Sequence, residues 1–194
     1  YNPFEALKTN VLGAQNVIEA AIANMHGTYP KVLAISTDKA VHPINLYGAT
    51  KLCAEKLFLN ANNIMGKNGP RFSVARYGNV SNSNGSVIPL FKSQVAKGEQ
   101  LTITHDQMTR FWITLEQAVR LIKYSLDTMH GGEIFVPKMN AFNVKSLAMV
   151  MMEDYKPEDK WVRVIGVRPG EKMHETIITK EEMELTWFDT LNNT

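Results

Sequence analysis

Apolar positions recur at helical spacing over residues 4–24, "FEALKTNVLGAQNVIEAAIAN", with Pro3 near the start, and this predicts a helix. The next apolar stretch, "KVLAIS" (31–36), is too short for a helix and reads as a buried strand of a parallel sheet. A second helix is expected over 47–66, closing near Gly66, and a second strand over 71–77, "RFSVARY". Helix, strand, helix and strand joined by short connectors imply a doubly wound α/β sheet. After Gly78 the elements shorten. Helices are expected over 87–98, 114–129 (opened by Thr114), 143–155 and, as a polar last helix, 171–183; strands over 101–104, 133–137 and 161–167. These smaller elements suit a second lobe packed on the sheet, with residues 1–80 forming the sheet domain and 81–194 mainly the lobe, some segments returning to the sheet.

Composition narrows the class. The chain has 194 residues, 44% apolar and 21% charged, the balance of an ordinary globular protein. A net charge of +2 implies no general attraction to nucleic acid or membrane. One cysteine, Cys53, excludes an internal disulfide. No apolar run reaches the ~20 residues that span a bilayer, so a cytoplasmic location is the expectation. His42, His105, His130 and His174 are scattered, and no metal site is expected. Met149, Met151 and Met152 have the spacing of core residues.

The candidate chemistry lies in "ISTDKAVHPINLYGATK" (35–51). Tyr47 and Lys51 share a helix face four residues apart, which brings an ammonium towards a phenol. A phenol with an ordinary pKa near ~10 is a poor base unless a positive neighbour favours the phenolate. Ser36 and Thr37 end the preceding strand, and doubly wound sheets place ligands at the carboxyl ends of their strands. Asp38 and Lys39 follow, a carboxylate and an amine side by side. Read alone, the pair also suits a solvated surface salt bridge or a turn cap.

The set Asn10, Ser36/Thr37, Tyr47 and Lys51 resembles the extended short-chain dehydrogenase/reductase family. "STDKAVHPINLYGATKLCAEKLF", "RFSVARYGNV", "MTRFWITLEQAV", "HGGEIFVPK" and "GVRPGEKMHE" together are similar to the UDP-N-acetylglucosamine 4,6-dehydratases of that family. Tyr47, where membrane-anchored retaining members carry Met, points to the soluble C5-inverting type of the pseudaminic acid pathway.

The resemblance implies a Rossmann-like fold and a set of roles. Tyr47, aided by Lys51, assists oxidation of the sugar at C4, with Thr37 on the C4 oxygen. Lys39 removes the C5 proton, and Asp38 protonates the departing C6 hydroxyl. Asn10, Ser36, Tyr47, Lys51, Tyr77, Asn79 and Val80 line the cofactor, NADP or possibly NAD. Asn79, Arg110, Arg168 and Glu171 meet the UDP-sugar; Trp112 and Phe111 are read as packing between the lobes and Arg76 as holding a loop. The helices at 4–24 and 47–66 are those through which members form homo-oligomers.

No Gly-rich βαβ unit is present, although members open with one. The expectation is a fragment, inactive alone. A 4-epimerase, which needs no Asp38–Lys39 pair, and a non-catalytic oligomerisation module are the alternatives.

Overall fold

The two apolar runs pair as parallel strands. In the computed structural model, which describes residues 2–25, 27, 29–83, 85–152 and 162–189, β1 (Lys31–Thr37) lies beside β2 (Arg71–Tyr77). Their register runs from Lys31 opposite Arg71 to Thr37 opposite Tyr77.

Helix α1 (Pro3–Leu7) is capped by the Asn2 side chain, which accepts from the Phe4 amide, and carries Pro3 where a missing N–H costs nothing. It passes through a π turn, Lys8–Leu12, into α2 (Gly13–Ala23), so the helix expected over 4–24 contains one wide turn. Helix α3 (Leu46–Met65) starts at Asn45 and stops at Gly66, whose φ of 59° ends the helical hydrogen bonding. Ala14 and Ile18 of α2, Ala54, Phe58 and Ala61 of α3, and Phe72 and Val74 of β2 form one core cluster. Side chains alternate along β2, so Ser73 and Ala75 face the other side of the sheet, and both are fully buried.

The rest of the chain supplies short strands and helices. β3 (Asn79–Val80) precedes α4 (Val87–Ala96), β4 (Leu101–Ile103) and β5 (Thr109–Ile113). Then come α5 (Leu115–Thr128), β6 (Ile134–Phe135), β7 (Asn140–Asn143), α6 (Val144–Met151), β8 (Val162–Val164) and α7 (Lys180–Glu184). β6 returns to the first sheet, parallel to β2. β3, β5 and β7 make a second sheet, with β7 antiparallel, and β4 pairs with β8. A second cluster, including Phe91, Leu101, Ile103, Met108, Val144 and Ala148, packs these elements together. Helix α5 lies against β1 and β2, and Lys31 Nζ donates to its terminal carbonyls of Leu126 and Asp127.

Three expectations change. The polar helix read over 171–183 is confined to Lys180–Glu184, because Glu171, Lys172 and Glu175 turn inward instead of following a helical face. Strands β3, β5 and β7 were not anticipated; each owes its conformation to pairing with the others. Met149 is 51% exposed, while Met152 is buried. The helix end expected at 155 and the strand start at 161 lie outside the described residues. No helix among the described residues is long and apolar enough to cross a membrane.

Candidate active site

The carboxyl end of β1 breaks directly into a 3-10 turn, Asp38–Ala40. The Thr37 hydroxyl donates to Asp38 Oδ1 at 2.9 Å and accepts from the Lys39 amide, so the turn is capped by the residue just before it. Lys39 Nζ lies 3.0 Å from the same Oδ1. Asp38 is completely buried, and its Oδ2 meets no partner among the described residues. The turn rests on α3 at Gly48, where a Cβ would stand 2.2 Å from the Lys39 carbonyl oxygen. Only a residue without a side chain allows that approach.

Asn45 secures the start of α3 twice. Its Oδ1 accepts from the Gly48 amide at 2.8 Å, and its Nδ2 donates to the Gly170 carbonyl at 2.7 Å. The second bond brings the loop 165–175 over the turn. There Lys172 Nζ donates to the Val41 carbonyl at 2.6 Å.

The space between this loop, the turn and the second sheet is a cavity of about 380 Å³. Lys39, Asn79, Ser86, Arg110, Arg168 and Glu171 supply much of its polar lining. Arg110 Nη2 is 3.1 Å from Glu171 Oε1. Asn79 Oδ1, Ser86 Oγ and Glu171 Oε2 are buried without a hydrogen-bond partner among the described residues. With Glu175 Oε2, four residues of the lining each hold a buried polar atom that no described residue satisfies with a hydrogen bond, an arrangement that suits polar groups from outside the chain. Trp112 packs on Phe142 with ring centres 4.5 Å apart, and both line the same cavity.

A second cavity of about 330 Å³ lies along the other side of β1, lined by Asn10, Ala34, Ser36, Lys51 and Glu55 among others. Asn10 sits in the π turn, a distortion frequent at functional sites, and its Nδ2 donates to Thr50 Oγ1 at 3.0 Å. Ser36 Oγ is buried and unpartnered among the described residues. Lys51 Nζ donates to the Ile35 carbonyl at 2.6 Å. Burial pushes the Lys51 ammonium below its ordinary pKa, against the opposing charge of Glu55. Burial likewise pushes the Tyr77 phenol up.

The expected residues therefore divide. Lys39, Asn79, Val80, Arg110, Arg168 and Glu171 line the first cavity; Asn10, Ser36 and Lys51 line the second. Tyr47 lines neither and is 37% exposed, but Asn45 before it lines the first cavity and Lys51 after it the second. Lys39 reaches the cavity wall, whereas Asp38 sits behind it. Among the described residues no cluster of His, Cys, Asp and Glu could hold a metal ion.

Behind the site, Arg76 at the end of β2 is almost fully buried. Its guanidinium meets Glu55 at 2.7 Å, Glu182 at 2.9 Å and the Ile177 carbonyl at 2.9 Å. Burial opposes the charge, but the hydrogen bonds and charges of Glu182 and Glu55 outweigh it and raise the Arg76 pKa. This contact fastens the segment that follows the cavity loop. Sequence reasoning missed Asn45, Gly48 and Lys172. Asn45 was open to discovery, since an Asn just before a helical pattern is a cap signal; the other two depend on contacts distant in sequence.

Known proteins of differing names resemble the chain over nearly all of its length. The profile of a family described as "Polysaccharide biosynthesis protein" matches residues 1–191. UDP-N-acetylglucosamine 4,6-dehydratase (inverting) of Campylobacter jejuni subsp. jejuni serotype O:23/36 (strain 81-176) is 48% identical over 188 residues, covering 96% of this chain and 54% of the relative. UDP-glucose 4-epimerase of Rickettsia massiliae (strain Mtu5) is 43% identical over 183 residues, covering 94% of this chain and 52% of the relative. The X-ray structure of Pen from Bacillus thuringiensis, at 43% identity, superposes with a TM-score of 0.86, covering 94% of this chain and 57% of that one. The chain thus spans about half the length of the curated relatives it matches.

Proposed function

Starting from the fact that this chain belongs to the polysaccharide biosynthesis protein family, we propose that it is the greater part of the active site of a UDP-N-acetylglucosamine 4,6-dehydratase. The observation that carries this reading is the first cavity. Arg110 and Arg168 offer guanidinium groups suited to phosphate oxygens, and Asn79, Ser86 and Glu171 hold open acceptors suited to sugar hydroxyls. A phosphorylated sugar satisfies both sets at once.

The second cavity fits a nicotinamide cofactor. The Ser36 hydroxyl, Asn10 and the Lys51 ammonium are polar groups able to hold a ribose, and Tyr47 follows on α3 between Asn45 of the first cavity and Lys51 of the second. Such a cofactor supplies a reversible hydride acceptor for the sugar carbon, and NADP is the form implied by the sequence resemblance. Homo-oligomeric assembly and a cytoplasmic location belong to the same proposal.

The residues of the chain then divide the proton chemistry. Tyr47 takes the proton of the C4 hydroxyl as that carbon is oxidised. The resulting ketone acidifies C5–H, and Lys39 removes that proton. Asp38, behind the wall and 3.0 Å from Lys39 Nζ, acts through that amine: Lys39 passes a proton to the C6 oxygen, which leaves as water, and Asp38 replaces it. The ion pair at 3.0 Å contains what these last two steps need. Moving one proton from Lys39 Nζ to the Asp38 carboxylate turns ammonium and carboxylate into amine and acid, a base and a proton donor. Asp38 Oδ2, without a hydrogen-bond partner among the described residues, is the atom that carries that proton. Tyr47 in the phenol position favours C5 inversion.

The 43% identical epimerase supports a second reading, reversible oxidation at C4 without water loss. Asp38–Lys39 has no task in that reaction. Supplying UDP-N-acetylglucosamine and NADP⁺ to the complete protein that contains this chain, and following the nucleotide sugar by mass, separates the two. A keto-sugar lighter by one water, with solvent deuterium at C5, is expected. An isomer of unchanged mass would install the epimerase. Absence of UDP binding by calorimetry would overturn both.

A further inference from the structure

Lys39 meets a second carboxylate. Glu175 belongs to the loop drawn over the turn, and only 4% of its side chain is exposed. Its Oε1 lies 4.0 Å from Lys39 Nζ, and its Oε2 lies 3.4 Å from Lys172 Nζ. Lys172 is itself held by the Val41 carbonyl, one residue beyond the turn that carries Asp38 and Lys39. The four side chains form a row of alternating charge: Asp38, Lys39, Glu175, Lys172. Lys39 and Glu175 both line the first cavity.

Burying the Glu175 carboxylate is costly unless charges or donors compensate it. Lys172 compensates one oxygen by ion pairing, although its geometry falls short of a hydrogen bond, and the other oxygen is turned to Lys39. Lysine is a flexible chain that gives up rotamer freedom when its end is fixed. Asp38 alone would tether Nζ at one point, on the covered side of the turn. A second carboxylate on the cavity wall defines where along that wall the amine stands.

We propose that Glu175 is a positioning residue for Lys39, holding Nζ on the cavity wall beside Asp38, where a sugar carbon acid would meet it. The positioning rests on contacts within the chain; its purpose rests on the dehydratase reading. Acylation with an N-hydroxysuccinimide ester at fixed pH, quantified lysine by lysine by mass spectrometry, tests the two separately.

In the 194-residue chain, Glu175→Gln should raise the Lys39 acylation rate about tenfold, equivalent to roughly 1.4 kcal/mol. The exposed Lys8 serves as the internal standard and should not change. Glu175→Asp, which keeps the charge on a shorter stem, should give a smaller rise. An unchanged Lys39 rate in a Gln variant with wild-type circular dichroism overturns the proposal. Should that variant not fold, the Asp variant decides by the same comparison. In a dehydrating preparation, Glu175→Gln should lower kcat, leave KM nearly unchanged and displace the pH profile. If acylation responds and those three do not, the positioning stands and the dehydratase purpose falls.

Discussion

The side-chain amide of Asn45 donates to the carbonyl of Gly170 at 2.7 Å, joining residues 125 positions apart. The same side chain caps α3 through the Gly48 amide. One residue thus starts the helix that carries Tyr47 and Lys51 and anchors the loop that carries Arg168 and Glu171. Gly170, at φ 79°, takes a conformation that favours glycine, and a Cβ on it would reach 3.1 Å from the Asn45 Cβ.

Asn45→Ala should therefore cost about 1 kcal/mol of stability for the lost cap, and weaken UDP binding as well. Asn45→Asp separates the two effects. It keeps a capping oxygen but has no donor for Gly170, so urea unfolding should stay near wild type while calorimetry still records weaker UDP binding. Equal behaviour of the two variants in both measurements would contradict this division.

Gly48→Ala should destabilise the protein, although alanine is the better helix former by about 1 kcal/mol. The added methyl would overlap the Lys39 carbonyl at 2.2 Å and touch the Pro43 Cβ at 3.0 Å. The turn must shift, at a net cost of about 1–3 kcal/mol by the usual penalty for overpacking. A thermal melt at or above wild type would refute the contact.

Arg76 supports the loop from behind. Arg76→Met should cost roughly 3–5 kcal/mol, because it leaves Glu55 buried with its charge uncompensated. Glu182→Gln should cost less, since that side chain is 28% exposed. The pH dependence follows from the same contacts. Burial pushes Glu182 and Glu133 up, yet bonds from Arg76 and the Thr179 amide in one case, and from Ser73 and the His130 and Gly131 amides in the other, hold both below the ordinary carboxylate range. Their folded values lie under the unfolded value of about 4.3, so the unfolded chain takes up protons first as pH falls. The stability they contribute is complete above that value and is lost as pH drops through the folded values. Urea midpoints should fall below about pH 4.5, and Glu182→Gln should flatten that fall.

Lys39→Met, in a preparation that turns over, should leave C4 oxidation detectable as cofactor reduction while water loss drops by about 10²–10⁴. Unchanged water loss would remove Lys39 from the proposed mechanism.

The sheet was legible because its signals are local. "KVLAIS" and "RFSVARY" are short apolar runs between helical periods, and their limits fall within a residue of β1 and β2. The site strand and its Ser36–Lys39 end were found by the same route. What escaped depends on distant partners. β5 and β7 are strands because each completes the other, and "EKMHETII" abandons its helical pattern to send Glu171 and Glu175 to the cavity and Lys172 to the Val41 carbonyl. The cover over Asp38 was equally invisible, since adjacency in sequence does not say which of two neighbours the turn exposes.

The π turn at Lys8–Leu12 has a geometric corollary. Such a turn holds one residue more than a regular helix winds, and the surplus bulges from the rod instead of rotating what flanks it. Asn10 reaches Thr50 from that bulge. Excising a single position there would let the rod rewind regularly with Asn2–Leu7 and Gly13–Ala23 near their present bearing, and the amide would lose its outward seat.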